Sequence, residues 1–188
     1  MKTVAYLLAV TLTAGSASIA LAADDKLATR LSGFNEVHFI AAPTPALRGS
    51  VSTPAKGTFE ARIDNDVISY VLTYEGLIGD VTQAHIHFGQ RHTVGAIVVW
   101  LCQTAAVPAP AAVAALTPMC PGPTQGTVTG TITAAQVLEA VGQGIANGEF
   151  AEVVAALRAG TTYANVHSVT FPPGEIRGQI RDHDGHRH

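Results

Sequence analysis

Charge is scarce in this chain. Only 13% of its 188 residues are Asp, Glu, Lys or Arg, and the 11 basic residues are outnumbered by 14 acidic ones without forming a dense run. That balance argues against nucleic-acid binding, which needs a cationic patch or stripe. It does not point to disorder, because 47% of the residues are apolar and the net charge is only −3. The length excludes two large domains but allows one domain with a real core. Beyond the first 22 residues no apolar run is long enough to span a membrane. There is no repeat of solenoid length. No Ser/His/Asp or Cys/His nucleophile arrangement stands out, and no glycine loop of the phosphate-binding kind is present. What the chain does have, against this low-charge background, is eight histidines.

The first segment reads as a secretory leader rather than as structure. Lys2 precedes the apolar run Val4–Val10, and small residues lead to Ala20-Leu21-Ala22, which places cleavage after Ala22. Thr11, Thr13, Gly15, Ser16 and Ser18 interrupt the run and make it a poor anchor. The expectation is a periplasmic or secreted protein without a transmembrane anchor after cleavage. Export changes how the two cysteines are read. Cys102 and Cys120 flank a Pro/Ala-rich connection, and an even pair in an oxidising compartment suggests a disulfide. The competing reading is two free thiols or soft metal ligands.

After a polar stretch at 24–30, expected to be ragged, short β-like segments dominate. They are 34–40, 57–63, 67–74, 81–88, 94–101, 126–132, 161–169 and 175–181. Asp64-Asn65-Asp66 is a turn cluster that makes 57–63 and 67–74 a hairpin. Many short strands separated by Gly, Pro and Asn predict a mainly β domain, a sandwich or barrel. Two helices interrupt the pattern. One starts at Thr133, whose spacing to Gln136 is that of a capping box, and presents Val137, Leu138 and Val141. The other spans 149–159, with Phe150, Val153, Val154 and Leu157 on one face and Gly160 at its C-terminal stop.

The sharpest local feature is Ala84-His85-Ile86-His87-Phe88-Gly89. In a strand His85 and His87 share one face, with Cα atoms roughly 6–7 Å apart. Neutral imidazoles at that spacing suit copper, zinc, iron or nickel. Two hydrogen-bonded structural histidines are the bland alternative. In Tyr163-Ala164-Asn165-Val166-His167-Ser168, Tyr163, Asn165 and His167 share a face. If this strand neighbours the first, His167 joins the pair and a three-histidine metal site results. The alternative is that Asn165 and His167 bond to loop backbone. Farther on, Phe171-Pro172-Pro173-Gly174 turns into a strand where Glu175, Arg177 and Gln179 share a face. That arrangement invites cross-strand ion pairs, and Gly178 marks a bulge or a close backbone approach. A functional alternative has Arg177 guiding an anion toward a metal.

Together, Ala84-His85-Ile86-His87 with Gly89 and Gly95, Tyr163-Ala164-Asn165-Val166-His167-Ser168, and Gly174-Glu175-Ile176-Arg177-Gly178-Gln179-Ile180 resemble the CHRD (chordin) domain of exported bacterial proteins. The likeness covers about residues 32–182, leaving 183–188 as a disordered tail carrying His183, His186 and His188. The resemblance implies a Greek-key β-sandwich or barrel similar to copper/zinc superoxide dismutase, here with a short two-helix insertion. His85 and His87 look like the copper-binding pair of that fold and His167 like a further copper-side histidine, while Arg177 is a looser match to its anion-guiding arginine. The dense His/Asp set that holds the dismutase zinc is not evident. His92 lies in a loop that differs from both patterns, and His38 stands where many CHRD domains have proline.

These readings favour a structural or protein-interaction module that binds a protein, matrix or envelope component, with no established catalysis. The alternative is a copper-binding protein using His85, His87 and His167. A dismutase-like enzyme ranks last, because open copper chemistry needs a complete, supported ligand set.

Overall fold

The β-pattern folds into one antiparallel sheet that curls almost into a barrel. The computed structural model describes residues 25–40 and 47–182. The expected leader at 1–22 and the histidine tail at 183–188 lie outside them. The strands are β1 (Asp25–Ser32), β2 (His38–Ile40), β3 (Leu47–Gly49), β4 (Lys56–Asp64), β5 (Val67–Glu75), β6 (Val81–Phe88), β7 (Ala96–Cys102), β8 (Gly126–Ile132), β9 (Thr162–Ser168), β10 (Ile176–Gln179) and β11 (Arg181–Asp182). In space the main sheet runs β7-β6-β9-β10-β1-β4-β5-β8, with β11 also pairing β1, and β2-β3 form a separate two-stranded ribbon. The Greek-key character lies in the long connections that bring β9 beside β6 and β10 beside β1.

Period-two alternation decides which side chains enter the barrel. On β4 Phe59, Ala61 and Ile63 point inward, and on β5 Ile68, Tyr70, Leu72 and Tyr74 do so. The expected hairpin joins these strands from Lys56↔Glu75 to Asp64↔Val67. Asn65 turns it with φ of 51°, a left-handed conformation that asparagine tolerates.

The seam between β8 and β7 is bridged by a side chain. Tyr70 stands opposite Gly130 in the β5–β8 ladder, and a Cβ on Gly130 would lie 2.6 Å from the Tyr70 hydroxyl oxygen. The missing side chain lets the tyrosine ring cross, and its hydroxyl donates to Leu101 O on β7 at 2.7 Å. Tyr74 makes the parallel reach to Pro121 O.

Three local expectations are corrected. Within the stretch 24–30 expected to be ragged, residues 25–30 belong to β1 in the middle of the sheet, which pairs with β4 from Asp25↔Ile63 to Ser32↔Lys56. Leu27 and Leu31 alternate into the core there, and the polar residues between them had masked that spacing. The segment 34–40 is not one strand, because a 3-10 turn at Gly33–Asn35 precedes β2. The capping box at Thr133 and Gln136 is real but starts only a 3-10 turn, Ala134–Gln136. Val137 is already extended, and Leu138 N donates to Val98 O on β7 at 2.9 Å, so a tertiary bond to the sheet edge overrides helix propensity. The two helices of the described residues are α1 (Ala111–Ala114), not anticipated, and α2 (Phe150–Arg158), ending at Gly160 with φ of 65° as expected. None of the described helices is long and apolar enough to cross a membrane.

Cys102 and Cys120 are joined in a disulfide with Cα atoms 5.0 Å apart. The closed loop carries α1, and its Ala109 and Val113 pack with Trp100 in a small apolar cluster outside the barrel core. That cluster roofs one side of the site.

Candidate metal centre

The core-facing positions of β6, β9 and β10 include Ala84 and Ile86, Ala164 and Val166, and Ile176, with Ile180 just beyond β10. Alternation therefore sends His85, His87, Tyr163, Asn165, His167, Arg177 and Gln179 to the opposite face. An outward polar face ordinarily meets water. Here every one of these residues is buried, because loops and Trp100 cover the sheet.

The ladder sets the horizontal order. His85 lies opposite Asn165 and His87 opposite Tyr163 in the β6–β9 pairing. Arg177 lies opposite Asn165 and Gln179 opposite Tyr163 in β9–β10. The register runs unbroken from Gln83↔His167 to Phe88↔Thr162, so His167 lies across from Gln83, one diagonal step from His85. The three histidines thus converge, and one ring nitrogen from each lies within 4.8 Å of the others. His85 Nδ1 and His167 Nε2 are 3.2 Å apart. Two imidazoles on one tetrahedral ion would hold their nitrogens about 3.3 Å apart, given metal–nitrogen bonds near 2.0–2.1 Å.

Hydrogen bonding determines where the ring protons sit. His167 Nδ1 donates to Pro172 O at 2.8 Å and His87 Nδ1 donates to Gly95 O at 2.9 Å, since a carbonyl can only accept. Both histidines therefore keep a lone pair on Nε2. His85 must then donate from Nδ1 to His167 Nε2, which leaves its own Nε2 without a proton. The Nε2 atoms of His85 and His87 are buried and have no hydrogen-bond partner. Backbone carbonyls orienting the far nitrogen are the usual support for metal-bound imidazole.

Electrostatics keeps the three rings neutral. Burial, reinforced by the neighbouring His167 and His87, drives His85 well below its ordinary value. Burial also lowers His87 to about 4, against the bond to Gly95, and lowers His167 to about 4, against the bond to Pro172. Lone pairs are therefore available throughout the neutral range.

Aromatic groups complete the walls. Trp100 meets the His85 ring edge-on at 4.3 Å, and Tyr163 stacks on His87 at 4.6 Å with planes 4° apart. The Arg177 guanidinium lies 3.3 Å from the Tyr163 ring centroid and donates to Thr93 O at 2.8 Å and Gln90 O at 3.1 Å. Arg177 thus pins the loop 89–95, whose Gly95 carbonyl orients His87. The expected cross-strand ion pairs of Glu175 and Arg177 do not form among the described residues. Glu175 Oε1 instead accepts from Thr53 Oγ1 at 2.6 Å and Ile78 N at 2.9 Å, while Arg177 turns to backbone carbonyls. Gly178 is a close approach, as expected, since a Cβ there would sit 2.4 Å from Arg30 O.

Other participants were not foreseen. Glu36 is buried, its Oε1 accepts from Val37 N, and burial raises its carboxyl against the pull of Arg177 and His38. His38, unassigned from sequence, donates from Nε2 to Gly174 O and meets Phe171 edge-on. Trp100 could have been reached only by knowing that it stands opposite His85. Tyr163 carried a weak signal, its shared parity with Asn165 and His167.

A nearly closed antiparallel barrel bearing three buried, mutually facing histidines on its outer face defines the class. Residues 27–180 match the CHRD domain, and the chain belongs to that family. Comparison with curated proteins and with solved structures gives no match.

Proposed function

We propose that this CHRD domain binds a single transition-metal ion, copper, through His85, His87 and His167. The observation that carries the reading is the convergence of one ring nitrogen from each histidine within 4.8 Å, with His85 Nδ1 and His167 Nε2 3.2 Å apart and His87 Nε2 buried without a partner. A buried lone pair left unmatched is costly, and a metal would take that of His87 Nε2 together with those of His167 Nε2 and His85 Nδ1, the His85 proton moving to Nε2 with no change in the net charge of the rings. The ligand set favours copper. Three neutral imidazoles lack the carboxylates of hard-cation sites, and copper heads the divalent affinity order for nitrogen ligands. No carboxylate is among the three ligands, so the singly charged Cu(I) costs less to bury than a dication. The disulfide fits an exported location, where thiol ligands would be oxidised. The role is carriage or storage rather than turnover.

Trp100 is the only tryptophan and touches His85, so its fluorescence reports occupancy. Cu(I), Cu(II) and Zn(II) are titrated against a competing chelator, with wild type beside His85→Ala and His167→Ala. One Cu(I) per chain and a loss of about 100-fold or more in each variant are expected. Unchanged affinity in both variants would sink the proposal. A second reading, an interaction module for an envelope protein, draws on the exposed Ile78 and Val169 flanking Gly79, and it gains if no metal binds.

A further inference from the structure

Four of the eight arginines in this net-acidic chain meet at one place. A cavity of about 270 Å³ lies beside β10 and is lined by Arg30 of β1, Arg177 of β10, Arg181 of β11 and Arg91 of the loop 89–95, together with His92 and Asn35. No aspartate or glutamate lines it. Two cations elsewhere are answered locally: Arg158 pairs with Asp25, and Lys56 with Glu75. The four cavity arginines form no salt bridge among the described residues. At the floor burial lowers Arg177, the neighbouring Arg91 adding to it and Tyr163 and Glu36 opposing it.

The arrangement is built rather than incidental. Arg177 is 2% exposed and is clamped to Gln90 O, Thr93 O and the Tyr163 face, so one positive charge is held rigidly beneath the cavity. The same clamp positions the loop that supplies Arg91 and His92. His92 adopts φ of 64°, an unfavourable backbone conformation for a residue with a Cβ, and lines the cavity. Arg30, Arg91 and Arg181 are exposed at the rim, where they can close on a ligand.

We propose that this cavity binds a small multivalent oxyanion. Guanidinium groups present paired planar donors that match the oxygen geometry of phosphate and carboxylate, and several of them around one partly open cavity favour a multiply charged ligand over chloride. The size suits a pyrophosphate or a tricarboxylate rather than a polymer. None of His85, His87 and His167 lines the cavity, and the proposal stands whether or not that cluster holds a metal.

The test is isothermal calorimetry on the full chain at fixed ionic strength, with pyrophosphate and citrate as probes. The protein is stripped of metal and dialysed free of chelator, because a polycarboxylate chelator is a ligand of this class. Saturable one-to-one binding of at least one probe is expected, and which probe binds identifies the phosphate or the carboxylate source. Arg91→Gln and Arg181→Gln should each weaken binding about tenfold, and the double variant about 100-fold. Lys56→Gln, an exposed cation outside the cavity, should change nothing. No saturable heat with either probe at millimolar concentration overturns the proposal. So does wild-type affinity in the double variant, or an equal loss in Lys56→Gln.

Discussion

Acid should destabilise the metal-free protein through the histidine cluster, and the size of the effect can be worked out. In an unfolded chain a histidine titrates near 6.5. In the fold His87 and His167 are lowered to about 4, chiefly by burial, and His85 lies well below its ordinary value for the same first reason. Between these limits the unfolded chain holds protons that the folded chain refuses, so stability rises with pH. The contribution is fully present above about pH 6.5 and falls away as the pH drops toward 4. From pH 7.5 to 5, each of His87 and His167 costs about 2 kcal/mol, about 4 kcal/mol together, and His85 adds in the same direction. Glu36 acts oppositely. Its carboxyl is raised, again chiefly by burial, so its stabilisation is greatest when protonated at low pH and is lost as pH rises through its folded value. Because an ordinary domain is stable by only about 5–15 kcal/mol, the histidine loss is a large share. Urea unfolding followed by Trp100 fluorescence at pH 7.5, 6.5, 5.5 and 5.0 measures it, with the slope on urea held constant as the check on two-state behaviour. A metal-free stability that stays level across this range would refute the buried, neutral description of the cluster.

Two further perturbations probe what surrounds the site. Reducing the Cys102–Cys120 bridge, or replacing both cysteines by serine, releases a loop with a sequence separation of 18. The expected loss is about 3 kcal/mol, accompanied by a change in Trp100 emission, because α1 packs on that ring; thermal unfolding with and without reductant reads both. Gly130→Ala places a Cβ against the Tyr70 ring, which must leave Leu101 O, for a loss of about 2–4 kcal/mol. Tyr70→Phe, which removes only the hydrogen bond, should cost about 1 kcal/mol in the same melts, and equal losses in the two would show that the ring does not need the space.

Much of the fold was legible because its signals are local. Alternation along 57–63 and 67–74, the Asp-Asn-Asp turn, the glycine stop after α2 and the shared face of His85 and His87 each depend on a few neighbouring residues. The pairing of the two cysteines needed only their even number and the expectation of an oxidising compartment. β1 was missed because Asp25, Lys26 and Arg30 dilute two core leucines, and a central strand needs partners from distant parts of the chain to be recognised. The helix expected after Thr133 failed because a bond from Leu138 to β7 outweighs a local propensity.

The site divides along the same line. Residue spacing alone determined that His85 and His87 share a face, and likewise Asn165 and His167, since a strand alternates whatever it pairs with. Only the tertiary structure decided that β9 lies against β6 in the register that brings His167 within 3.2 Å of His85. Only it decided that loops and Trp100 would bury this outward face, which is what turns three ordinary imidazoles into neutral ligands. The four-arginine cavity is assembled from Arg30, Arg91, Arg177 and Arg181, residues that no local pattern relates. Sheet pairing over long sequence separations creates such neighbours, and side-chain periodicity carries no information about which strands will pair.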